Sequence, residues 1–344
     1  MLTIAQISAG VLGDCWKPEE RGKSIGAYTL LPLLGPTLGG ILGGYISQHS
    51  TWRWAFWSVC LFETAMQLIA LVLLHETYGP TILHRRASAT REATGNCAYH
   101  TAHEKPDQTF TTALLKALRR PIYLLATQHS IQILALYCAV SFGVLYIVLS
   151  TLPHMFSSPL YYNQSTSVSG LNFLSIGIGF TVGAQTCAIA TDALNRQYSR
   201  KAPAQTEVRL LPLLPAVGLA TIGLLWYGWS AERRLHWIMP NVGIVIFGAG
   251  AQIGTQSVNA YVLDAYAPPG WSASAAAGVW AVKALAGFLF PLFGTRLYDR
   301  FDYGRGNTAL ALTILGLGAP TWFVMWRFGR QLREDGLAIL EKAR

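Results

Sequence analysis

Two ionisable side chains other than histidine, Glu63 and Lys283, lie deep inside long apolar stretches of this 344-residue chain. An ion at the centre of a bilayer costs at least about 2.5–3.5 kcal/mol, so each must be paired, water-facing or neutral. Glu63 has the chemistry to carry a proton; a protonated carboxyl bonded to a neighbouring helix is the competing expectation. Gln252, Gln256 and Asn259 follow at spacings of four and three, which puts three amides on one helical face, and such a face avoids lipid. Gln128 and Gln132 repeat the four-residue spacing, with Tyr137 and Tyr146 adding amphipathic rings. Among large aromatic and aliphatic neighbours, these amides suit a bulky, weakly polar ligand better than a sugar or a phosphate.

Other chemistries find little support. His100 and His103 stand beside Glu104 without a further ligand run, so no metal site is expected. The five cysteines form no C-x-x-C pair, and no G-x-S-x-G, Walker A or H-E-x-x-H pattern occurs. The expectation is a protein that is not an enzyme and needs no cofactor. Asn163-Gln164-Ser165 is a formal glycosylation sequon in a loop expected outside the cytoplasm.

The elements that position these residues follow from composition. Of the residues, 52% are hydrophobic and 12% charged, where soluble domains carry about 25% charged residues. That deficit, with recurrent apolar runs of twenty or more residues, defines an all-α polytopic membrane protein. Eight complete spans are expected at 26–47, 53–74, 124–152, 168–191, 210–230, 236–263, 272–296 and 307–328. Residues 1–13 are apolar but reach only about 20 Å, so they read as the end of a further, partial helix rather than a secretory signal.

Basic residues alternate in density between the connections. Lys17, Arg21 and Lys23, the run from Arg85 to Arg120, the group from Arg196 to Arg209 and the cations after Trp326 fall on one side. Arg53, Arg233, Arg234, Arg296, Arg300 and Arg305 fall on the other. The denser side is cytoplasmic, which places both termini there. The net charge of +9 is thereby assigned to topology and anionic headgroups, and nucleic acid is not an expected partner.

Four regions emerge: 1–75, a helical remnant; 76–123, a polar cytoplasmic connection; 124–330, six helices; and 331–344, a cytoplasmic tail. Phe110, Leu114, Leu115 and Leu118 recur at helical spacing before Pro121, read as a stop. Either a short amphipathic helix on the inner membrane surface or a solvated linker with a frayed helix fits that stretch. Residues 35–40 read GPTLGG, and with Gly26, Pro32, Gly43 and Gly44 they form a stripe of small or helix-weakening residues suited to close helix packing.

On these residues the sequence resembles the major facilitator superfamily, in particular its fungal twelve-helix drug:proton antiporter branch. GPTLGG, with Gly35, Pro36, Gly39 and Gly40, looks like the antiporter signature of the fifth helix, although Leu31 replaces the usual glycine four residues upstream. GDCWKPEERGKSIGAY resembles the connection ahead of that helix, WRWAFW the start of the sixth, and ETYGPTILHRRASATREATGN the opening of the central loop. NAYVLDAY, SASAAAGVWAVKALAGFLFPLF and YGRGNTAL match the last three helices in family order.

The resemblance implies a partial major facilitator fold: a complete C-terminal half, the fifth and sixth helices of the N-terminal half, and neither the first three helices nor most of the fourth. It implies proton-coupled efflux of a small hydrophobic molecule, a drug or a fungal secondary metabolite, across the plasma membrane, with the vacuolar membrane as the alternative. Lys283 falls where such transporters carry an arginine in the eleventh helix, which implies substrate or gating contacts, a structural pair being the other reading. Gln252, Gln256 and Asn259 fall on the cavity-lining tenth helix, and Gln128 and Gln132 are weaker substrate candidates. Glu63 falls on the peripheral sixth helix. The competing function is a non-transporting membrane protein that assembles with or regulates a complete transporter.

Overall fold

The computed structural model describes residues 21–73, 79–95, 110–198, 206–267 and 271–342, and every regular element among them is helical. The segment 1–13, Cys15, Cys97, His100 and His103 lie outside the described residues. The elements are α1 (Arg21–His49), α2 (Trp52–Leu73), α3 (Gly79–Thr94), α4 (Phe110–Thr127), α5 (His129–Ser157), α6 (Thr166–Leu171) and α7 (Phe173–Tyr198). A 3-10 turn, Thr206–Leu210, leads to α8 (Leu213–Glu232), α9 (Ile238–Ala265), α10 (Ser272–Leu289) and α11 (Pro291–Lys342).

Seven stretches among the described residues are long and apolar enough to cross a membrane, and they coincide with seven of the expected spans. The remaining expected span, 26–47, lies within α1, a helix of 29 residues. In hydrocarbon a backbone must satisfy its own polar groups, so apolar runs of this length become helices whatever their local propensity.

The described residues fall into two units, one within residues 1–35 and 50–114 and one within residues 36–49 and 115–344. In the second unit α9 packs against α7 and α8, α10 against α5, and α11 against α5 and α8. Glycine makes the α8–α9 approach possible. A Cβ on Gly243 would lie 2.5 Å from the Tyr227 amide nitrogen, and one on Gly250 at the same distance from that of Ala220. Within the first unit, α2 has no buried residue.

Three boundaries differ from expectation. Helix α4 does not stop at Pro121 but runs to Thr127, and the span expected from 124 begins at His129. The chain breaks at Gln128, whose φ of −104° and ψ of 101° are extended. The break is stable because side chains satisfy the interrupted ladder: Gln132 Nε2 donates to the carbonyls of Leu125 at 2.8 Å and Ala126 at 3.2 Å. Near the other end, the turn between the last two expected spans is a single residue, Asp302, at φ 55° and ψ 176° within α11. The first turn beyond it has free amides, and the Glu232 carboxylate accepts the Gly304 N–H at 2.7 Å.

The tail is also structured. Helix α11 continues to Lys342, Leu340 is buried, and Gln128 Nε2 donates to the Gly336 carbonyl at 3.1 Å. Arg333 bonds Glu207 through Nε at 3.1 Å, and Arg209 pairs with Asp264. These contacts fasten the last helix, the 3-10 turn and the end of α9 together on the side expected to be cytoplasmic.

Candidate functional site

Helices α5, α9 and α10 are mutual neighbours, and they present the chain's most unusual intramembrane chemistry. Lys283, near the middle of α10, is 3% exposed. Its Nζ lies 3.7 Å from the ring centroid of Trp280 and 4.3 Å from that of Phe142 on α5. No carboxylate among the described residues lies within ion-pair distance of it. The structural pair open to Lys283 in the sequence is therefore absent among the described residues, and ring quadrupoles take its place. Tyr146 continues the aromatic surface, 4.7 Å from Phe142 and 40% exposed. Gly287 lets α10 approach this group, since a Cβ there would lie 3.0 Å from the Phe142 ring.

Gln252, Gln256 and Asn259 share a face of α9, and all three are half-buried. None of them makes a side-chain hydrogen bond among the described residues. A face with three unspent amides is matched to water or to a polar ligand rather than to lipid. Gln128 and Gln132 behave differently and do not share a helical face. The Gln128 amide is buried between the Gly336 carbonyl and the Tyr266 hydroxyl, which donates to it at 3.3 Å, and Gln132 closes the helix break. Tyr137 is buried, its hydroxyl against Gly254 of α9.

The glycine stripe of α1 splits into two faces. Gly40 abuts the Phe173 ring, Gly44 abuts Thr166 and Gly170, and Thr37 abuts Gly177, so this face lies against α6 and α7. A Cβ on Gly39 or Gly43 would meet no described atom within 4 Å. Glu63 is exposed on α2 and makes no hydrogen bond or ion pair among the described residues. Asn163 is exposed in the turn between α5 and α6 at φ 50°. The aromatic partners of Lys283 were not singled out from sequence. Their trace is the four-residue spacing of Phe142 and Tyr146 and the position of Trp280 one turn before the lysine.

Bundled apolar helices with a lysine buried among them define a multi-pass membrane protein. Residues 3–291 match the family model of the Major Facilitator Superfamily. The chain is 38% identical over 334 residues to the probable efflux pump mfs2 of Aspergillus flavus, covering 96% of this chain and 78% of that protein. It is 38% identical over 331 residues to the efflux pump vrtL of Penicillium aethiopicum, covering 95% of this chain and 64% of that protein. The fold resembles the partially occluded inward-open xylose transporter XylE of E. coli, with a TM-score of 0.55 at 15% identity over 93% of this chain and 66% of that one. The chain belongs to the Major Facilitator Superfamily.

Proposed function

We propose that this chain is a secondary transporter of the plasma membrane that exports a small hydrophobic molecule in exchange for protons, with Lys283, Gln252, Gln256 and Asn259 contacting the cargo. The efflux pumps among its relatives support the direction of transport. The observation that carries the site is the unspent amide face of α9 beside a helix with an ammonium that has no counter-ion among the described residues. The chemistry is binding and reorientation: in this reading the site alternates between the two sides of the membrane, and a gradient supplies the energy. In the motif of Gly35, Pro36, Gly39 and Gly40, Gly40 acts in helix packing against Phe173, Glu63 is the candidate proton carrier, and Asn163 is a candidate glycan acceptor.

The test measures accumulation of a fluorescent hydrophobic compound in cells whose membranes contain the 344-residue chain, with and without a protonophore. Reduced accumulation that the protonophore abolishes is the expected result. Lys283→Ala, inserted at equal abundance, should lose most of that reduction, and full export by this variant would remove Lys283 from the site.

The chain spans between 64% and 78% of those two fungal relatives. The competing reading is a non-transporting membrane protein that assembles with a complete transporter, which would appear as co-purification with a full-length relative and no export by the chain alone.

A further inference from the structure

We propose that the cargo site at Lys283 selects acidic aromatic molecules, those with a carboxylate or a comparable anionic group on a flat apolar body; this rests on the transport reading above and names its substrate class. The argument begins with charge. Helices α5 and α10 contain no acidic residue at all, and the one acid of α9, Asp264, stands at its end and is paired with Arg209. The other acidic side chains in described ion pairs, Glu207 and Glu334, are bound to arginines on the cytoplasmic side. Glu63 makes no ion pair among the described residues.

Lys283 is therefore a buried amine whose protonated form has no carboxylate among the described residues to neutralise it. A counter-charge is what holds such a group protonated, and two ring faces at 3.7 and 4.3 Å supply less of it than a carboxylate would. An anionic cargo supplies what the chain withholds. The same rings define the rest of the molecule, since Phe142 and Trp280 flank the lysine and Tyr146 extends the surface from Phe142. A flat apolar body packs against the exposed parts of these rings, Tyr146 above all, while its acid group reaches Nζ. A lipophilic cation meets the opposite situation: its charge is repelled, and the ring faces that would receive it already hold Lys283.

The test uses the purified 344-residue chain in nanodiscs and three probes of equal shape: 2-naphthoate, 2-naphthamide and a 2-naphthyltrimethylammonium salt. Binding is measured by equilibrium dialysis. At neutral pH the naphthoate should bind at least tenfold more tightly than the naphthamide, and the ammonium more weakly than either. Lys283→Gln should abolish the preference of naphthoate over naphthamide, and Lys283→Arg should retain it. Equal binding of naphthoate and naphthamide, an unchanged preference in Lys283→Gln, or no binding of any probe at millimolar concentration would overturn the proposal. The dialysis needs no gradient, so loss of the carboxylate preference and loss of export in cells are separate failures.

Discussion

Alanine at Gly44 and at Gly43 should have opposite effects on stability, although the two residues are adjacent in one helix. Both substitutions gain the same helix propensity, about 0.5–1 kcal/mol for replacing glycine in a helix interior. They differ in what the new methyl group meets. On Gly44 it would stand 2.9 Å from the Thr166 carbonyl oxygen and 3.2 Å from the Gly170 Cα, both backbone atoms, whereas ordinary contact begins at 3.4 Å. Relief requires α1 and α6 to separate by about half an ångström, and overpacking of this kind costs about 1–3 kcal/mol. On Gly43 no described atom lies within 4 Å. Because the propensity gain cancels, the gap between the variants equals the overpacking cost, about 1–3 kcal/mol. Thermal unfolding of the purified, lipid-reconstituted proteins should rank Gly43→Ala above the parent and Gly44→Ala below it. Gly39→Ala and Gly40→Ala should repeat the order, since Gly40 faces the near end of the Phe173 ring. Equal midpoints for Gly43→Ala and Gly44→Ala, or the reverse order, would refute the assignment of this face to α6 and α7.

Two further outcomes concern the regions outside the spans. Glu207 has 10% of its side chain exposed and is bonded by Arg333. Arg333→Ala should destabilise the protein toward the low end of about 3–5 kcal/mol, since an unpaired buried carboxylate remains; Arg333→Ala with Glu207→Gln should recover part of it in the same melt. The Tyr162 phenol lies in the turn after α5, and burial pushes its pKa up to about 12. Unfolded tyrosine ionises near pH 10, so the stabilising contribution is complete below pH 10 and declines as pH rises from about 10 to 12. Tyr162→Phe should lose less stability than the parent across that interval.

The chain's resources were divided before folding by a rule that is local. A run of about twenty apolar residues must become a helix in hydrocarbon, so the positions of the spans, Lys283 and the amide triad of α9 were all legible along the sequence. The same periodicity could not say where helices would break. Pro121 lacks an amide hydrogen and looked like a terminus, yet the chain turned at Gln128, where Gln132 and Gly336 satisfied the exposed polar groups. Composition could not distinguish Gln128 from Gln252 either. Both are glutamines at four-residue spacing, and tertiary packing buried one in backbone hydrogen bonds while leaving the other unspent. Nor could it separate Gly39 from Gly40, or show that the rings around Lys283 come from two helices. Hydropathy reports only that a helix avoids water; which of its faces meets which neighbour is set by contacts between residues far apart in the chain, and the packed bundle decided those.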